Sequence, residues 1–291
     1  MTSRVYSTGE TNESLRNKYN PDGSLKRTLQ LRLLDGLLYL KEVCVQLQIP
    51  FYLDGGTLLG AVRHGGFVPW DDDVDVVFDR IDYPRIIHYL QGHPHPDFVL
   101  QTIDTDPVYS NGWAKLTDRY SSSVYTGEDP VSVNLSKVKT HSGVSIDLFC
   151  YSDRVIPWLN KMIHGFHHQI TQRYFVGRLP RTARLFTLLS IKVLAPTADF
   201  IGRLFSDHKT IYHNYCTQNT VHCFQKDKVY PLSFIQFEGH WFPCPNDTDY
   251  YLRTLYGNYW SLPPEKAREH HQQTITLYPK PGENNGINNT K

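Results

Sequence analysis

From Leu25 to Gln48 the apolar residues Leu29, Leu31, Leu34, Leu37, Leu38, Leu40, Val43 and Leu47 return at helical spacing, which predicts one long amphipathic helix. Pro50–Asp54 follows as a short strand, halted by Gly55-Gly56, and Thr57–His64 as a short helix with Thr57 near its N-cap. Gly65-Gly66 ends that helix. Asp71–Phe78 is a second strand, carried by its β-branched residues despite four aspartates, and Val144–Tyr151 a third. Between them the pattern gives a helix at Tyr83–Leu90, strands at Phe98–Ile103 and Trp113–Leu116, and mostly loop from Ser121 to His141. Beyond Pro157 it turns helical, near 158–176, 181–194 and 197–217; Gly239–Pro245 is expected as an aromatic loop and Tyr250–Gly257 as a short helix. The polar segment 1–24, closed by the turn signal Asn20-Pro21-Asp22-Gly23, is expected to be an arm with little structure of its own, and 279–291 a disordered tail. This alternation defines an α/β (α+β) chain with one domain over 25–278: a sheet core at about 50–155, a helical insertion at about 157–217 and a C-terminal part at about 230–275.

Composition narrows the partners. The 291 residues are 40% hydrophobic with a formal charge of +1, so a sizeable core is available, wholesale disorder is excluded, and bulk charge gives no support to a nucleic-acid partner. Five scattered cysteines without a CxxC pair fit a reducing compartment. The N-terminus lacks the apolar core of a signal peptide, which predicts a cytoplasmic protein. The longest apolar stretch, Leu185–Ala195, is interrupted by Lys192 and closed by Pro196, short of the ~20 residues that span a bilayer, so no transmembrane helix is expected.

The chemistry concentrates around the first two strands. Asp73 and Asp75, two apart in a strand, project from one side, and like charges so placed are tolerated when a cation lies between them. Hard oxygen ligands of this kind suit Mg²⁺ or Mn²⁺; a solvated acidic turn is the plain alternative. The nearby Gly55-Gly56-Thr57 turn offers backbone N–H groups at a helix start, where phosphate oxygens are readily held. A phosphate bridged by a divalent ion accounts for both features. Asp147 shares a strand face with Ser145 and Phe149, placed to be a third metal ligand, a proton acceptor, or simply a satisfied acid at a strand end. Arg63, with His64, is a candidate donor contact, and Lys115, on one strand face with Trp113, is a candidate partner for phosphate or for an acid of the site; each is equally readable as a surface residue. Trp70 is expected to pack, and His270-His271 are weaker candidates. The stretch Arg181–Leu194 is either a core-facing helix, the commoner case, or an interfacial helix resting on anionic lipid.

The run Leu53–Asp75 (LDGGTLLGAVRHGGFVPWDDDVD) closely resembles the signature of the LicD family, relatives of fukutin and fukutin-related protein. Tyr19–Gly23, Ile146-Asp147-Leu148-Phe149, Phe237-Glu238-Gly239, Tyr256-Gly257-Asn258-Tyr259 and Leu262-Pro263-Pro264-Glu265 extend the resemblance along most of the chain. It implies a nucleotidyltransferase-like mixed sheet flanked by helices. It also implies Mg²⁺-dependent transfer of a substituted phosphate, phosphocholine or ribitol phosphate, from a CDP-alcohol to a hydroxyl of a surface glycan or lipid-linked saccharide, with release of CMP. CDP-choline is the favoured donor, and the location is cytoplasmic or peripheral at the inner face of a membrane. Carried over residue by residue, Asp73 and Asp75 are metal ligands, Asp147 is metal ligand or base, and Gly55, Gly56, Thr57, Arg63 and Lys115 form the donor side. The zinc cysteines of the animal relatives have no counterpart pattern, so no structural zinc is implied. The alternatives are nucleotidyl transfer, with attack at the α-phosphorus and loss of pyrophosphate, and a non-catalytic nucleotide- or glycan-binding subunit.

Overall fold

The computed structural model describes residues 5–107, 109–125, 141–174, 180–213, 222–268 and 273–282. The chain opens with α1 (Asn12–Tyr19) and α2 (Leu25–Leu47), capped by the Thr11 and Ser24 side chains. The stripe Leu29, Leu33, Leu37 and Leu40 of α2 is buried over β4 (Ala114–Asp118) and β6 (Ser145–Ser152). These strands belong to a mixed sheet ordered β1 (Phe51–Leu53), β2 (Val74–Asp79), β6, β4 and β3 (Phe98–Gln101), with β7 (Thr210–His213) on the far end of β6 and β8 (Cys223–Gln225) beyond it. Only β2 and β6 run parallel among its described strands. All eight residues of β6 are buried, as expected of a central strand covered on both faces. α3 (Gly55–His64) and α4 (Tyr83–Gly92) flank β2 in sequence.

Five expectations give way to tertiary contacts. The N-terminal arm contains α1, and its Tyr6 and Leu15 are buried. A bidentate pair from Arg268 to Glu10, 2.7 Å on each arm, ties it to the C-terminal part, a contact that no local pattern announces. Ser121–Tyr125, expected as loop, is β5, recruited by β11 (Gln273–Leu277). The helix expected over 197–217 stops at Phe205, and Thr210–His213 turns into a strand because β6 offers a free edge at Tyr151 and Ser152. The aromatic loop at 239–245 is the second strand of a hairpin, β9 (Ser233–Phe237) with β10 (His240–Cys244); Glu238 and Gly239, at φ 50° and 81°, form the left-handed two-residue turn that such hairpins favour.

The fifth concerns the helical insertion, α5 (Pro157–Tyr174), α6 (Pro180–Leu189) and α7 (Ala195–Phe205). Pro196 does not end the apolar stretch. A π-helical turn at Ser190–Leu194 links α6 to α7, so the backbone has already left the i−4 bonding that proline breaks. Arg184–Phe205 thereby becomes one run that is long and apolar enough to cross a membrane, where the sequence pattern predicted none. α8 (Lys226–Val229) and α9 (Thr248–Tyr256) complete the fold.

Candidate active site

The glycine turn and the acids, separate in sequence, meet at the end of β1. The Asp54 N–H donates to the Asp75 carbonyl at 3.0 Å, and the Asp75 N–H donates to Thr57 Oγ1 at 2.9 Å, so the turn grips the backbone of Asp75 from both sides. Gly55 adopts φ +51°, and a Cβ there would stand 2.5 Å from Asp75 Oδ2; at Gly56 it would stand 2.5 Å from Asp71 Oδ2. Glycine is therefore favoured by conformation and space at Gly55 and by space at Gly56. The positive N-terminal end of α3 lies against two carboxylates, an arrangement that stabilises negative charge.

Sheet register aligns the remaining groups. Asp75 is paired with Asp147 on the parallel β2–β6 ladder, and Asp147 with Lys115 on the antiparallel β4–β6 ladder. In-register partners project to the same face, so Asp75, Asp147 and Lys115 form one row across three strands. Asp147 Oδ1 meets Lys115 Nζ at 2.8 Å and accepts from Ser145 Oγ at 2.9 Å; Oδ2 accepts from Trp113 Nε1 at 2.9 Å. Asp73 lies just outside β2. The carboxylate oxygens of Asp71, Asp72 and Asp73 lie within 4.8 Å of one another, and Asp72 is drawn aside by Lys26 at 3.5 Å.

The electrostatics follow from this crowding. Burial pushes the Asp75 carboxyl well above the usual range, and the negative field of Asp73, Asp147, Asp54 and Asp71 pushes it further. Burial alone would lower the Lys115 ammonium, but Asp147, with Asp73 and Asp75, outweighs it and raises it. The donor chemistry fits a hard divalent ion: the oxygens of Asp71, Asp72 and Asp73 converge, and Asp75 stands in register with Asp147 on the neighbouring strand.

Two groups were missed in the sequence. Asp71 was passed over as part of an acidic run, although its spacing from Gly56 is no weaker a signal than that of Asp73. Asp54 falls within the Leu53–Asp75 signature, but the local pattern reads it only as the end of a strand. It is buried and accepts from Tyr251 Oη at 2.7 Å and Tyr151 Oη at 3.1 Å; Tyr151 Oη in turn lies 2.7 Å from His213 Nε2. Burial raises the Asp54 carboxyl against the opposing effect of the Tyr251, Gly55 N–H and Tyr151 hydrogen bonds.

The other candidates are engaged elsewhere. The buried Arg63 donates from Nη1 to the Tyr259 carbonyl at 2.8 Å and from Nε to His64 Nε2 at 2.9 Å, bracing α3 against the C-terminal part. His64 is held down to about 3 by burial and by the Arg63 charge. Trp70 packs as expected, against Tyr19 with ring centroids 5.3 Å apart and beneath the Arg268 guanidinium. His270 and His271 lie outside the described residues.

Fold and site together define a mixed α/β domain with an acidic site at the end of its sheet, and comparison with known proteins adds a family likeness. Residues 48–165 match the model of the LicD/FKTN/FKRP nucleotidyltransferase domain. The chain is 26% identical over 262 residues to the lipopolysaccharide cholinephosphotransferase LicD of Haemophilus influenzae, covering 84% of this chain and 95% of that one. It is also 57% identical over 28 residues to the human ribitol 5-phosphate transferase FKRP, covering 10% of this chain and 6% of that one. The chain is thus similar to the LicD family over the segment that builds the site and, at lower identity, along most of its length.

Proposed function

We propose that this protein transfers a substituted phosphate from a CDP-alcohol, with CDP-choline the first choice, to a hydroxyl of a glycan or lipid-linked saccharide. The observation that carries the reading is the Asp75–Asp147–Lys115 row with the glycine turn packed against Asp75, which we read as a cation site beside an anion site. Near-full-length similarity to a cholinephosphotransferase supports the substrate class.

Asp73 and Asp75 would hold the metal, flanked by Asp71 and completed by Asp147. Mg²⁺ or Mn²⁺, when bound, neutralises charge on the donor's diphosphate. The α3 N-terminus at Gly55 and Gly56, anchored by Thr57, and the Lys115 ammonium orient phosphate oxygens, while Arg63 keeps α3 in place through Tyr259. The acceptor hydroxyl oxygen forms a bond to the phosphorus bearing the alcohol, the bond from that phosphorus to the bridging oxygen breaks, and CMP departs. Asp147, fixed by Trp113 and Ser145, takes the hydroxyl proton. Positioning and electrostatic stabilisation supply the rate.

The test is incubation of purified protein, Mg²⁺ and a glycan acceptor with CDP-choline, CDP-ribitol, CDP-glycerol and CDP-ethanolamine. CMP release from one of them supports the reading. Release of pyrophosphate from a nucleoside triphosphate, with no CMP from any CDP-alcohol, would assign nucleotidyl transfer instead.

A further inference from the structure

The helical insertion turns its apolar side outward. On α5, Trp158, Met162 and Phe166 follow each other at four-residue steps and are exposed, Trp158 at 65%. On the joined α6–α7 run, Leu185, Leu189 and Val193 repeat the same step before the junction with α7, and Phe200 and Leu204 after it, at 65% and 68% exposure. Between the two helices lies an apolar groove of about 330 Å³, with Ile163, Ala198 and Ile201 among its walls. Exposed apolar surface this extensive marks an interaction face.

Charge says what covers it. Residues 157–205 contain seven Lys and Arg and one acid, a surplus of six in a chain whose total is +1. The single acid is turned inward: Asp199 lies 3.1 Å from Arg80 Nε and 3.9 Å from Arg154 Nη1. Lys161 and Arg203 are exposed on the same helices as the apolar stripes, while Lys192, also exposed, is paired with Asp104. Apolar stripes with basic side chains around them, and an exposed tryptophan among them, match the headgroup region of an anionic bilayer.

The same contacts decide how the helices lie. Asp199 fastens α7 to the sheet domain, Gly202 sits so close to the Arg154 carbonyl that no Cβ fits, and Arg184 donates to the Tyr109 carbonyl at 3.1 Å. A run anchored along its length against the folded domain lies flat on a membrane and does not cross it. Burial of the opposite face also resolves the two readings of this stretch: it is at once a packed helix and an outward-facing one.

We infer that the outer face of α5–α7 docks the protein on anionic lipid bilayers. The inference stands independently of the transfer reaction. Its anchor at Tyr109, whose hydroxyl donates to the Trp113 carbonyl at 2.7 Å, connects the insertion to the residue that bonds Asp147.

The experiment is co-sedimentation of the full chain with phosphatidylcholine vesicles, with and without about one-third phosphatidylglycerol. The expected result is binding to the anionic vesicles at least about tenfold tighter than to neutral ones, weakened by salt. The double variant Phe200→Ser/Leu204→Ser, with an unchanged melting temperature, is expected to lose about tenfold, and Lys161→Gln/Arg203→Gln to lose the preference for anionic lipid. Failure of the wild type to bind anionic vesicles, or undiminished binding by Phe200→Ser/Leu204→Ser, overturns the inference. So does a wild-type dimer in solution that this variant converts to monomer, because the face would then be covered by a second copy.

Discussion

Asp75 and Asp147 occupy the same rung of the parallel β2–β6 ladder, so two carboxylates face one another in the middle of the sheet, with Lys115 beyond Asp147 on the next strand. Sheet geometry imposes this proximity, and burial together with the neighbouring acids disfavours the ionised form of Asp75 even with Asp147 paired to Lys115.

Replacing one of them should therefore separate function from stability. Asp75→Asn is expected to abolish turnover while leaving the metal-free melting temperature unchanged or a few degrees higher, about 2–4 °C per kcal/mol of relieved repulsion. Stabilisation of the wild type by added Mg²⁺ should vanish in the variant. Thermal melts with and without the ion check this, and a sharply lower metal-free melting temperature for Asp75→Asn would contradict it.

Glycine substitutions sort conformational cost from steric conflict. Gly55→Ala meets both a positive φ and the Asp75 carboxylate, whereas Gly65, at φ +72°, has nothing within 4 Å of an added Cβ. Gly65→Ala should cost about 1 kcal/mol, the ordinary penalty of the left-handed region, with activity kept. Gly55→Ala should cost more than that and lower kcat by about 100-fold through displacement of Asp75. Denaturant titration and CMP release, run on both variants, measure the two effects.

The buried Asp54 should resist loss of a partner. Tyr251→Phe removes the 2.7 Å hydrogen bond and leaves a desolvated carboxylate oxygen, for a destabilisation of about 2–3 kcal/mol by urea denaturation. Tyr250→Phe, one position away and half-exposed, is expected to cost less than 1 kcal/mol.

Acid sensitivity should come from buried histidines. Burial depresses His213 to about 3, with no hydrogen-bond partner at Nδ1 among the described residues, and depresses His64 equally. The unfolded chain takes up these protons near pH 6.5 and the folded one does not, so the contribution is intact above about 6.5 and is lost as pH falls from there towards 3. Each group should remove about 1.4 kcal/mol per pH unit well below 6.5. His213→Gln is expected to flatten the fall in stability between pH 6.5 and 5, read from urea midpoints; an unchanged slope would refute the assignment.

How much of this was legible in the sequence depends on the range of the interactions. The elements that build the site, β1, α3, β2 and β6, follow from local signals: a glycine pair between a strand and a helix, and β-branched runs strong enough to carry aspartates. The adjacency of Gly55 and Asp75 was anticipated because one cofactor explained both. Lys115 reads in sequence as a partner for phosphate or for an acid of the site, but which acid it meets depends on strand order, which periodicity does not encode. The role of Asp54 was hidden because its partners Tyr151 and Tyr251 lie far along the chain. Segments recruited by distant edges, such as Ser121–Tyr125 and Thr210–His213, were misread for the same reason.

The central claim, that these acids grip one divalent ion, is tested most directly by titrating Mn²⁺ into the purified protein and following free Mn²⁺ by electron paramagnetic resonance. The account predicts one tight ion per chain in the wild type, displaced by Mg²⁺, and none in Asp73→Asn/Asp75→Asn with its fold retained. Equal uptake by that variant, or no uptake by the wild type, would contradict it.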